Sequence, residues 1–155
     1  MDMKKVEDIK EMAAENDTQS DSNVKQVVDC ALEAGRILLR NGGEIFRVEE
    51  TITRICQHFG VEHVDIFTLS HGIFVSAENE KGDAYTKVKH IPLSGAHLGI
   101  VAEVNELSRQ IAEGKVTISE AEERLREIDR IPSSPSEFQI FGGGVAAACY
   151  GFLMG

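Results

Sequence analysis

Residues 61–89 read VEHVDIFTLSHGIFVSAENEKGDAYTKVK. Three short runs lie in this stretch, at 61–68, 72–77 and 84–89, each rich in β-branched and aromatic residues. Val64 and Ile66 alternate with His63 and Asp65, the period-two pattern of a strand with one covered face. The polar run Glu78-Asn79-Glu80-Lys81-Gly82-Asp83 separates the second and third runs. Such connections are too short for a parallel crossover, so the three strands are expected to form an antiparallel meander. One face of that sheet should pack on helices and the other should be wetter.

On both sides of the stretch the hydrophobic period changes to that of a helix. Upstream, Val24, Val27, Val28, Ala31, Leu32, Gly35, Leu38 and Leu39 share one face of a helix over residues 24–40. Asn41-Gly42-Gly43 stops it, because Asn and Gly accept the left-handed backbone that ends helices. A second helix is expected over 44–59, with Ile45, Val48, Ile52, Ile55 and Phe59 inward and Gly60 at its end. Downstream, Pro92 and Gly95 break the strand region. A third helix is expected over 96–113, with Leu98, Val101, Val104, Leu107 and Ile111 apolar. Thr117-Ile118-Ser119-Glu120 is a capping-box sequence opening a fourth helix that runs to about Arg130, with Ala121, Leu125 and Ile128 inward. Strands are grouped rather than alternating with helices. The fold class is therefore α+β: two N-terminal helices, a three-stranded antiparallel meander, then two further helices.

The two ends of the chain are of different materials. Residues 1–22 hold 3 basic and 7 acidic residues and only a weak apolar set, Val6, Ile9 and Met12. They lack a basic region followed by an apolar core, so they are no secretory signal, and the expectation is an acidic disordered arm. Residues 132–137 contain Pro132 and Pro135 and read as a stiff linker out of a 23–131 domain. Residues 138–155, FQIFGGGVAAACYGFLMG, carry no charge at all. A spanning helix needs roughly 20 apolar residues, with a lower limit of about 17. Gly142–Gly144 and Ala146–Ala148 suit close helix approach in lipid better than a helix in water. The segment is expected to be the truncated start of a first transmembrane helix. Arg124, Arg126 and Arg130 precede it closely, which places the domain on the cytoplasmic side of the plasma membrane.

The whole chain has 155 residues and a net charge of −10, from 16 Lys+Arg against 26 Asp+Glu. That length supports one domain with a core. The acidic balance argues against nucleic acid, and against peripheral binding to an anionic membrane, because no basic stripe meets phosphates. Cys30, Cys56 and Cys149 show no paired spacing, so free thiols in a reducing compartment are the simpler reading.

Sites of chemistry are sparse. Cys56, His58 and His63 lie close in sequence, and His71, His90 and His97 follow, but no Cys-x-x-Cys or His-Glu-x-x-His occurs. No metal and no cofactor is expected. Cys56 has no evident third group to orient a His base. Asn41-Gly42-Gly43-Glu44 precedes a helix start but lacks the Lys-Ser/Thr of a phosphate loop, so capping explains it better. Glu44, Arg47 and Glu49 near that turn are the weak candidates for substrate binding. Arg47 is placed to pair with Glu44 or Glu50 at helical spacing.

The run Ala34-Gly35-Arg36-Ile37-Leu38-Leu39-Arg40-Asn41-Gly42-Gly43-Glu44-Ile45-Phe46-Arg47-Val48-Glu49-Glu50-Thr51 resembles the N-terminal domain of the threonine/serine exporter family, the ThrE-type or YjjP-like membrane proteins. His58-Phe59-Gly60-Val61 matches the end of that family's helix. The runs Leu98 to Leu107 and Ile111 to Ala121 are similar too, in the same order and spacing, so the resemblance covers residues 24–155. Gly43 stands where the family often has Ala. The resemblance implies a cytoplasmic domain ahead of a bundle of membrane helices that exports threonine, serine or small dicarboxylates. It also implies a partner, either a companion membrane protein or further transmembrane helices. A homo-oligomer is a further expectation. Two rival readings stay open: a membrane-tethered hydrolase using Cys56, His58, His71 or Glu49, and a soluble regulatory or interaction domain.

Overall fold

The computed structural model describes residues 2–131 apart from Leu93. The linker 132–137, the uncharged segment 138–155 and Cys149 lie outside the described residues. The chain folds as α+β in the expected order. Helix α1 (Met3–Arg40) and helix α2 (Ile45–His58) are followed by β1 (Val64–Leu69), β2 (Gly72–Glu78) and β3 (Ala84–His90), then α3 (Leu98–Ala112) and α4 (Ile118–Asp129).

The first correction concerns the acidic arm. It is not disordered: residues 3–22 continue α1 upstream as one helix of 38 residues, about 57 Å long at 1.5 Å per residue. No Gly or Pro occurs before Gly35, and Ala13, Ala14, Glu11, Met12 and Glu15 are strong helix formers. Packing of the second half supplies the costly nucleus, so each added residue gains a hydrogen bond without nucleating anew. The arm itself is largely exposed.

In its packed half α1 is the hub. Val28, Ala31, Leu32, Ile37 and Leu38 are fully buried, and the helix touches α2, α3, α4, β2 and β3. Its end is built from the turn expected of Asn41-Gly42-Gly43. Gly42 takes φ +86°, the Gly43 N–H reaches the Leu38 carbonyl at 2.7 Å, and the Gly42 N–H reaches Leu39 at 3.2 Å. The Asn41 side chain donates to the Ile37 carbonyl at 2.7 Å. Helix α2 then runs back along α1, burying Val48, Ile52, Ile55 and Cys56. The approach is close: a Cβ on Gly35 would lie 2.6 Å from Ile52 Cδ1.

The run 61–63, expected to open the first strand, instead closes α2. Gly60 adopts φ +86°, and the Val61 N–H bonds the Cys56 carbonyl at 2.9 Å, with the Val61 side chain tucked into the core. The meander that follows has strand order β1-β2-β3, both pairs antiparallel. Ile73, Val75 and Ala77 point into the core. The opposite face is not simply wet. Phe67, Phe74 and Val88 are cross-strand partners there, exposed in a row, with the two Phe rings edge-to-face at 6.3 Å.

Helix α3 starts at Leu98, with His97 Nδ1 accepting from the Ile100 N–H at 3.1 Å. Leu98, expected inward, faces solvent, while Ile100, Val104, Leu107 and Ile111 are buried. The capping box of α4 forms as read: the Glu120 N–H meets Thr117 Oγ1 at 3.3 Å and Glu120 Oε2 accepts from the Thr117 N–H at 3.0 Å. Among the described residues no helix is long and apolar enough to cross a membrane.

Candidate functional site

The three candidate residues share one turn of sequence but not one site. Glu44 is the N-cap of α2; its carbonyl accepts from the Val48 N–H at 3.0 Å and its side chain is exposed and makes no cap bond. Arg47 is exposed on the first turn, and the pairings expected with Glu44 or Glu50 do not form. Glu50 instead binds Arg54 at 3.0 Å, and Arg54 also donates to Ser108 of α3 at 3.1 Å. Glu49 turns the other way. It is half-buried, and its Oε1 accepts from the Thr68 N–H at 3.2 Å, which fastens β1 to α2. That is a structural bond. Beside it Thr68 Oγ1 is buried without a hydrogen-bond partner.

An open groove of about 750 Å³ runs along the outer side of α2, lined by Phe46, Glu49, Glu50, Arg54, Gln57, His58 and Ala112. Two carboxylates and one guanidinium line it, a mixture able to hold a small zwitterion weakly. Its Arg54 is already committed to Glu50 and Ser108. Nothing there is arranged for bond making.

Of the residues named for a hydrolase, Glu49 and His58 line this groove, but Cys56 and His71 do not join them there. Burial pushes the Cys56 thiol up to about 12, so it stays a neutral core side chain and not a nucleophile. Cys30 is pushed up to about 12 in the same way, first by burial and then by Glu122, Cys56 and Glu33. His58 packs edge-on against Phe59 at 4.9 Å, whereas His71 sits exposed on the β1–β2 turn beside Ser70. Among the described residues no three His, Cys, Asp or Glu side chains are grouped to hold a metal ion.

The polar feature that the sequence reading missed lies along α1. Asp29 takes Lys87 at 2.6 Å and the Tyr85 hydroxyl at 3.1 Å. Glu33 accepts from Arg36 Nε at 3.0 Å and faces Lys89 at 3.9 Å. Arg36 also binds Asp129, the last residue of α4, at 2.7 Å, with Arg40 at 3.9 Å. Glu33 and Asp129 together hold the Arg36 guanidinium above its ordinary range despite desolvation. The signal was present in two periods: Asp29, Glu33, Arg36 and Arg40 recur at helical spacing, and Lys87 and Lys89 at strand spacing. This seam ties β3 and the end of α4 to the hub; it is a joint, not a reaction centre.

Residues 29–155 match the family model ThrE, described as "Putative threonine/serine exporter". No curated protein and no solved structure matches the chain. The match starts in the packed half of α1, spans the seam and the meander, and continues through the uncharged segment, over most of the 155 residues. The chain belongs to the ThrE family.

Proposed function

We propose that the chain is the N-terminal cytoplasmic domain and first membrane segment of an exporter of threonine, serine or related amino acids, or of small dicarboxylates. The single observation that carries this reading is the unbroken family match over 29–155, which takes the folded domain and the uncharged segment as one unit. The site geometry supports it in a second way. A transporter domain needs joints and docking surfaces, and the polar side chains here form joints between elements. Substrate passes through membrane helices supplied by a companion protein or by further helices, in an assembly of several copies. The domain assembles or gates that pathway from the cytoplasmic side of the plasma membrane.

The test is efflux. Cells expressing the complete transporter and preloaded with threonine, serine or a four-carbon dicarboxylate should release one of them faster than cells carrying an empty vector. Equal release of all three would sink the proposal. Arg47→Ala, which leaves every packed contact in place, separates a substrate role for that residue from none: unchanged efflux removes Arg47 from the site.

A further inference from the structure

Four chain ends meet at one pole of the domain. Helix α1 ends at Arg40, and α2 starts after the turn at Gly42. The Ser94 and His97 N–H groups bond the Arg40 and Asn41 carbonyls at 3.2 and 2.9 Å, which brings the start of α3 to the same place. Asp129 at the end of α4 reaches Arg36 and Arg40. From this pole the chain leaves for the six linker residues 132–137 and then the 18 uncharged residues 138–155.

Among the described residues the same pole carries large apolar side chains that are exposed. Ile45 and Phe46 open α2 and are 43% and 74% exposed, and Leu98 opens α3 and is 79% exposed. The two helix starts are adjacent, since a Cβ on Gly42 would lie 3.1 Å from Ala96 Cα. Around them exposed Arg47, Arg126 and Arg130 stand among carboxylates, while Arg36 and Arg40 are paired with Glu33 and Asp129. The segments 36–47 and 126–131 hold Arg36, Arg40, Arg47, Arg126 and Arg130 against Glu44, Glu127 and Asp129. Arg47 and Arg130 are exposed. The opposite pole is acidic: Glu62, Glu78, Glu80 and Asp83 lie there, and Asn79 bonds Asp21 at 2.7 Å where the arm begins. From Asp21 to Arg40 is about 28 Å along α1.

We propose that the pole formed by Ile45, Phe46 and Leu98 rests on the lipid bilayer, with Arg47 and Arg130 at the headgroups and the acidic arm pointing away. The inference rests on the exporter reading, because the tether is the segment 138–155. Three observations favour lipid over a protein surface. The apolar side chains are few, Glu49 and Glu50 share a groove with Phe46, and exposed Arg47 and Arg130 at the same pole supply the cations of an interfacial contact. The chain departs toward its uncharged segment from this pole. A linker of six residues spans at most about 20 Å, so the pole cannot sit far from the interface. Net charge alone argues against an anionic surface; exposed Arg47 and Arg130 give this pole a local cationic contact despite it.

The test uses the full chain with Cys149→Ser, reconstituted in phosphatidylcholine vesicles containing phosphatidylglycerol. An environment-sensitive fluorophore is attached at Phe46→Cys, at Leu98→Cys or, as the distal control, at Glu80→Cys; the native Cys30 and Cys56 are buried and do not label. Quenching by nitroxide-labelled lipid should be roughly threefold or more stronger at 46 and 98 than at 80, since interfacial side chains sit about 5–10 Å into the boundary. Arg47→Glu with Arg130→Glu should lower the quenching at 98. Vesicle-bound protein whose three sites quench equally overturns the docking inference and leaves the exporter reading intact. Labels at 46 and 98 that are shielded without lipid quenching, or that crosslink between copies, also overturn it, in favour of a protein partner. Failure of the chain to float with vesicles removes the membrane segment and the exporter reading with it.

Discussion

The two halves of α1 are one helix by backbone and two materials by environment. Residues 24–40 bury Val27, Val28, Ala31, Leu32, Ile37 and Leu38 against five other elements. Residues 3–22 bury almost nothing, and Met3, Ile9 and Met12 are exposed. Helical form therefore says little about stability here. The packed half is held by apolar burial at about 25 cal/mol per Å². The arm is held by propensity and by the half it grows from.

The largest expected contrast comes from truncating one side chain in each half. Leu38→Ala should destabilise the domain by about 2–5 kcal/mol in urea unfolding, because a fully buried side chain leaves a cavity. Ile9→Ala should stay within about 0.5 kcal/mol, since its site is exposed. A comparable loss from both would break the distinction. Next, Gly35→Ala sharpens what the packed half requires. The new methyl meets Ile52 Cδ1 at 2.6 Å, and overpacking of this kind costs about 1–3 kcal/mol. Ile52→Val in the same chain should recover part of it, and a double-mutant cycle that shows no coupling would remove Gly35 from the helix crossing.

A third contrast is chemical. Cys30 and Cys56 have folded pKa values near 12, above the roughly 8.5 of an unfolded thiol. A raised folded value means the stabilisation is complete below the unfolded pKa and is lost as pH rises toward the folded one. Between about pH 8.5 and 12 each thiol should therefore cost up to about 1.4 kcal/mol per pH unit. Thiol reagents at pH 8 should leave both unmodified until denaturant is added; fast labelling of the native domain would contradict their burial. The smallest effect belongs to the boundary between the halves. Asp21→Ala breaks the bond to Asn79, but both groups are exposed, so thermal unfolding should shift by less than about 0.5 kcal/mol.

Much of this fold was legible in one chain because its signals are local. Grouped period-two runs, the Gly60 stop and the Thr117–Glu120 box placed the elements in order. The arm was misread for a physical reason. Composition reports whether a segment can bury itself, and it does not report that a neighbouring helix will carry it. Leu98 and Ile45 were misplaced because helical spacing marks a face without saying where the neighbouring elements stop covering it. The candidate site fared worse. Glu49 looked like a binding residue by position, yet its partner, the Thr68 N–H, is 19 residues away and comes to it only through the turn of the sheet. For the α1 seam the spacing of the charges was present in the sequence, but the pairing of residues as far apart as Arg36 and Asp129 was not.

The uninterrupted helix from Met3 to Arg40 has a mechanical meaning. With no Gly or Pro before Gly35, the arm has no hinge along its outer length, and its root is braced by Asn79 against the β2–β3 hairpin. The same axis runs past the close crossing of Gly35 and Ile52 to Arg40, on the turn where α2 and α3 begin and α4 ends. One continuous helix thus joins the arm to the pole from which the chain departs.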